Sequence, residues 1–118
     1  MQLAPAYEGL ESYTREWFFE PDGRMRLVDT IKSREPHRFT WLFQTYRCHP
    51  ITDNFIIHNG DATLALRLER SSTPLDHEIA DTLTVWAYRN DQGGEACKHL
   101  AFETCDAVRE VCVEFIFK

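Results

Sequence analysis

The sequence predicts an all-β fold, an antiparallel β-sandwich of about eight strands, and two observations carry that reading. Apolar residues recur with a period of two rather than 3.6, which suits pleated strands with one buried face. Turn signals built from Gly, Pro, Asn and Asp recur at intervals of roughly 8–14 residues, and no segment carries a clear helical stripe. With 118 residues, 43% of them hydrophobic and 13% aromatic, the chain has enough apolar material for the core of one domain.

The first hairpin is the most explicit. Along residues 12–20, Tyr13, Arg15, Trp17 and Phe19 alternate onto one side. Pro21, Asp22 and Gly23 read as a three-residue turn, with proline presetting φ and glycine free to take φ > 0. Residues 24–31 alternate again and bring Met25, Leu27, Asp29 and Ile31 together. Such a turn sets Phe19 opposite Met25, Trp17 opposite Leu27, Arg15 opposite Asp29 and Tyr13 opposite Ile31. Arg15 and Asp29 then meet on an apolar face with Cβ atoms about 4.5–5.5 Å apart, where the guanidinium can grip the carboxylate with two bonds. A one-residue slip strands both charges among apolar neighbours at a cost of several kcal/mol. The pair is therefore read as a structural register lock rather than a polymer contact.

Residues 38–46 place Phe39, Trp41 and Phe43 on one face, and Leu42 and Tyr46 on the other. NFIIHNGDATLALRLER contains a second hairpin about its NGD turn, followed by alternating Leu64, Leu66 and Leu68. SSTPLDHE, residues 71–78, reads as a loop, and residues 75–83 are the one place that suits a short helix. Residues 79–89 read as a strand with Leu83 and Val85 inward and Trp86 on the other face. NDQGGEA is a loop by composition. Residues 98–105 and 108–117 are expected to close the chain as a hairpin around Asp106 and Ala107, with Val111, Val113, Phe115 and Phe117 on one apolar face.

Charge narrows the function classes. A net charge of −6 argues against nucleic acid as a partner, which needs a basic field. Arg24, Arg26, Lys32, Arg34 and Arg38 crowd one third of the chain, and are read as solvated strand-face and loop charges. No run of about 18 apolar residues predicts a membrane span. The stretch MQLAPAYEGL lacks a basic flank and an apolar h-region, so no leader is expected within it. The four cysteines have no CxxC spacing; they read as small buried hydrophobes or free thiols, and no metal site is expected in this chain.

Histidine titrates near neutral pH, which makes His37, His49, His58, His77 and His99 the candidate general bases. None lies in an HxH or HExxH arrangement, and a lone histidine is ordinarily structural. His37 stands beside Arg34 and Arg38, the one basic stretch suited to a carboxylated sugar. His49 and His58 flank a hairpin strand. Tyr7, Tyr13, Tyr46 and Tyr88 are candidate acids or sugar platforms. Trp17 and Trp41 are expected in the core, while Trp86, among threonines, is the candidate exposed aromatic. No nucleophile elbow, P-loop or dinucleotide fingerprint occurs. Asp22, Asp53, Asp61, Asp76, Asp81, Asp91 and Asp106 are assigned to turns and loops.

The segment YEGLESYTREWFFEPDGRMRLVDTIKSREPHRFTWLFQ resembles the heparinase II/III-like polysaccharide lyases. The resemblance runs over residues 6–46 and rests on Tyr7 and Gly9, Arg15, Val28 and Asp29, His37, and Phe39 to Phe43, in that order. It implies a C-terminal β-sandwich belonging with an N-terminal α/α toroid that these residues do not contain. It further implies a parent, periplasmic or secreted, that cleaves uronate-containing anionic polysaccharides by β-elimination. In such enzymes a base takes the C5 proton, a tyrosine or similar acid protonates the leaving oxygen, and Asn, His or a metal neutralises the carboxylate. A zinc ion held by two histidines and an aspartate, largely from upstream sequence, is expected only in such a full-length parent. Family members often end the third strand in histidine; Gln44 stands at that place here. Apart from the resemblance, the residue types themselves make His37 and Tyr46 the catalytic candidates, and Arg34, Arg38 and Trp86 the substrate-binding ones.

Two readings follow. The chain is expected to be a supporting lyase domain, inactive alone; the alternative is a carbohydrate-binding or protein-interaction module, with a complete small enzyme the least favoured. A supporting domain should expose an apolar docking patch. A binding module should present a shallow groove with coplanar exposed aromatics.

Overall fold

A computed structural model describes residues 9–45, 47–59, 61–82 and 97–118. Among these residues the chain is all-β, with nine antiparallel strands and no helix. The EPDGR turn behaves as its residue types dictate. Gly23 takes φ 89°, its N–H donates to Glu20 O at 3.1 Å, and Glu20 N–H donates to Arg24 O at 2.9 Å. Strands β1 (Leu10–Phe19) and β2 (Met25–His37) therefore pair with Phe19 opposite Met25, Trp17 opposite Leu27, Arg15 opposite Asp29 and Tyr13 opposite Ile31.

The remaining strands are β3 (Thr40–Thr45), β4 (Arg47–Ile51), β5 (Asn54–Asn59), β6 (Ala62–Ser71), β7 (Leu75–Thr82), β8 (Cys97–Thr104) and β9 (Val108–Phe117). They form a six-stranded sheet in the order β1-β2-β9-β6-β5-β4 and a three-stranded sheet in the order β3-β8-β7. The core lies between them. Phe115 of β9 packs on Phe43 of β3 and Phe102 of β8, with ring centroids 5.2 and 5.1 Å apart, and Trp41 lies 6.3 Å away. At the other side of the core Phe55 of β5 meets Phe102 at 5.5 Å.

Four sequence expectations need correction. The strand β4 was not foreseen: it follows β3 almost at once and hydrogen-bonds into the other sheet, against β5. The segment 75–82 is neither loop nor helix but β7, paired along its length with β8. Its Leu75 and Ile79 pack on the core and His77, on the same side, meets Phe55, while Asp76 and Glu78 face water, as charged residues on an edge strand do. Asp76 and Asp81 thus lie on a strand, not in a turn. Nor are β8 and β9 a hairpin: β8 pairs with β3 and β7, and β9 with β2 and β6. Leu100 and Phe102 face Val113 and Phe115 across the core, so Cys105 to Ala107 carry the chain from one layer to the other, with Cys105 N–H bound to Pro74 O at 3.0 Å. The expected Leu83, Val85 and Trp86 positions lie outside the described residues.

The layers differ in width, and that positions the site. The three-stranded sheet covers β2, β9, β6 and β5, shown by Trp41 reaching Asp29 and His77 reaching Phe55. The inner face of β1 runs past the edge of β3.

Candidate functional site

Because β1 overhangs β3, a cleft of about 680 Å³ opens between these two edge strands. Tyr13, Arg15 and Trp17 line one wall, and Phe39, Thr40, Trp41, Leu42 and Phe43 the other. Leu27, Ile31 and Phe117 form the floor, and His37 and Arg38 stand where β2 leads towards β3. Trp17 was expected in the core, yet it is 46% exposed, and Phe19 two residues on is 76% exposed. Among the described residues, no side chain of the opposing sheet makes a ring contact with either. Leu42, at 55%, is exposed on β3. Trp41 is buried, in keeping with its inward phase.

Under the wall of the cleft lies Asp29, fully enclosed. Arg15 donates Nε to its Oδ1 at 2.8 Å and Nη2 to its Oδ2 at 2.7 Å, a two-bond fork. Tyr13 donates its hydroxyl to Oδ2 at 3.0 Å, and Trp41 its indole N–H to the same oxygen at 2.9 Å. Arg15 remains 32% exposed along the cleft, but its charge is matched by the carboxylate. The cleft thus offers an apolar wall, aromatic faces and a neutralised ion pair.

The other candidates disperse. His37 is exposed and meets Phe39 edge-on at 6.4 Å. Arg38 is exposed on the cleft, whereas Arg34 is exposed outside its lining. Gln44 is exposed and sits opposite His99. His77 packs edge-on against Phe55 at 5.0 Å. His49 and His58 come together on the far edge of the six-stranded sheet, with stacked rings 5.0 Å apart. Tyr7, Tyr46, Trp86 and Tyr88 lie outside the described residues, and nothing is assigned to them.

The crowded cations of the first third largely pair with carboxylates. Arg24 meets Asp22 at 2.7 Å, Arg26 meets Glu114 at 3.1 Å, and Lys32 lies 3.6 Å from Glu110. Glu114 is itself buried on the outer face and also accepts two bonds from Arg70, at 2.9 and 3.2 Å. Sequence reading missed this cluster, for Glu114 interrupts an apolar strand whose partners are remote in the chain. Cys48 is buried, Cys105 partly buried and Cys112 exposed. Among the described residues no group of three or more His, Cys, Asp or Glu side chains is placed to hold a metal ion, and no helix is long and apolar enough to cross a membrane.

No protein-family model matches the chain, and no curated protein matches it. The functional reading therefore rests on the cleft and on the order of residues 6–46.

Proposed function

We propose that the chain is the supporting β-sandwich of a larger lyase that resembles the heparinase II/III-like enzymes and acts on uronate-containing polysaccharides, with the β1–β3 cleft as the face on which the catalytic α/α toroid rests. The observation that carries the docking role is the exposure of Trp17, Phe19 and Leu42 on two neighbouring edge strands. Scattered apolar residues on a surface are ordinary; here Trp17 and Leu42 line the cleft itself and Phe19 follows Trp17 on β1, which suits a contact face.

The test is to incubate the 118 residues with heparan and with alginate and to follow the absorbance of unsaturated uronate product. No product is expected, and sustained formation overturns the reading. The second reading, a carbohydrate-binding module, is favoured by Arg38 and His37 standing on the cleft with Trp17. Affinity electrophoresis in gels containing the same polymers separates the two. Retardation that disappears in both Arg38→Ala and Trp17→Ala identifies a binding module, and unretarded migration supports the docking domain.

A further inference from the structure

The edge of the six-stranded sheet opposite β1 carries a second feature. In the β4–β5 hairpin Cys48 and Phe55 are buried, so alternation puts His49 and His58 together on the outer face. Arg47 faces His58 and His49 faces Ile56, which makes the two histidines diagonal neighbours. Their ring centroids lie 5.0 Å apart with planes 19° from parallel. His49 is exposed and His58 half-buried.

We propose that His49 and His58 form a two-imidazole site for a divalent transition-metal ion of the nickel, copper and zinc group, with water filling the remaining positions. An imidazole nitrogen binds such an ion at about 2.0–2.1 Å, which puts each ring centroid roughly 3.2 Å from the metal. Two rings sharing one ion at an angle between square and tetrahedral then have centroids about 4.5–5.2 Å apart. The spacing of the free pair falls within that interval, so the backbone needs no rearrangement. Each ring has only to turn about χ2, a broad torsion, to aim a nitrogen into the gap. Neutral imidazole suits these ions, whereas Mg²⁺ and Ca²⁺ prefer oxygen donors. With two protein ligands the site is open and the ion exchanges freely. The site lies outside residues 6–46 and stands or falls independently of the lyase reading.

The test uses Ni²⁺ and Zn²⁺ chloride titrated calorimetrically into the full chain at about pH 7.5, with amide exchange followed in parallel. One ion is expected per chain, and exchange should slow at the β4–β5 amides, which the ion clips together. His49→Asn and His58→Asn should each weaken binding more than about tenfold, and circular dichroism checks that both variants stay folded. Parent-like affinity in the double variant, or no saturable binding by the parent, overturns the proposal.

Discussion

Trp41 and Asp29 belong to different sheets, and the indole N–H of the first lies 2.9 Å from Oδ2 of the second. The carboxylate thus does more than fix the register of β1 on β2. It accepts Arg15 and Tyr13 from its own sheet and Trp41 from the other, so one buried charge fastens the layers. Replacing Asp29 by Ala removes the carboxylate that a guanidinium, a hydroxyl and an indole N–H share. The expected loss is about 3–5 kcal/mol of stability, read from chemical denaturation; a midpoint equal to the parent's contradicts the fastening role. Trp41→Phe keeps most of the ring and removes one bond to a charged acceptor, for an expected loss of about 1.5–3 kcal/mol.

Trp17 should behave as a surface residue in spite of its inward phase. Trp17→Ser is expected to cost only about 1 kcal/mol, chiefly the tilted contact with Phe117 at 5.7 Å. The same variant should lose a large share of the tryptophan emission that acrylamide quenches. Unchanged quenching would place Trp17 inside the core.

Gly23 sits at φ 89°, and a Cβ built there meets nothing within 4 Å. Gly23→Ala therefore isolates backbone strain from crowding. A loss of about 1–2 kcal/mol is expected, and a neutral result would mean that the turn has changed type.

Asp22 tests the same turn by pH. The Arg24 N–H, first, and then the Arg24 guanidinium hold its carboxyl below the ordinary 3.8, against some desolvation. A lowered acid contributes stability above its unfolded value and loses it as pH falls through the folded one. The Arg24 amide shift should thus inflect below pH 3.8, and Asp22→Asn should abolish the inflection. An inflection above that value refutes the contact.

Thiol labelling should be ordered by site. Cys112 is exposed and Cys48 buried. Partial desolvation, and then the Asp76 carboxylate, push the Cys105 thiol above its usual range, which reduces the reactive thiolate. Iodoacetamide followed by peptide mapping should modify Cys112 first, Cys105 more slowly, and Cys48 only on unfolding. Early modification of Cys48 would contradict its burial.

How much was legible depends on how local the cause is. Gly23 and the alternation on either side of it determine β1 and β2 within about twenty residues, so the Arg15–Asp29 pairing can be counted off the chain. The contact from Trp41 to Asp29 cannot, because it depends on how one sheet lies on the other. Likewise Asp106–Ala107 looks the same locally whether the chain turns back within one sheet or crosses to the next. Pro74, Asp76, His77 and Glu78 argue for a loop, yet pairing with β8 and burial of Leu75 and Ile79 outweigh that composition. The cleft was hidden for a related reason: alternation identifies an inward face but not whether anything lies above it. The meeting of His49 and His58 needed β4, which no periodic signal announced.

The placement of β9 between β2 and β6 has a consequence for synthesis. The first hairpin leaves the ribosome complete at His37, but its neighbour in the sheet begins at Val108. At about 5–20 residues per second, β2 keeps an open hydrogen-bonding edge for roughly 4–14 s. During that interval the nascent hairpin and the later β4–β6 unit are separate, sticky pieces, and the strand that joins them is translated after both. A stalled or truncated message should therefore yield insoluble product rather than a smaller folded domain.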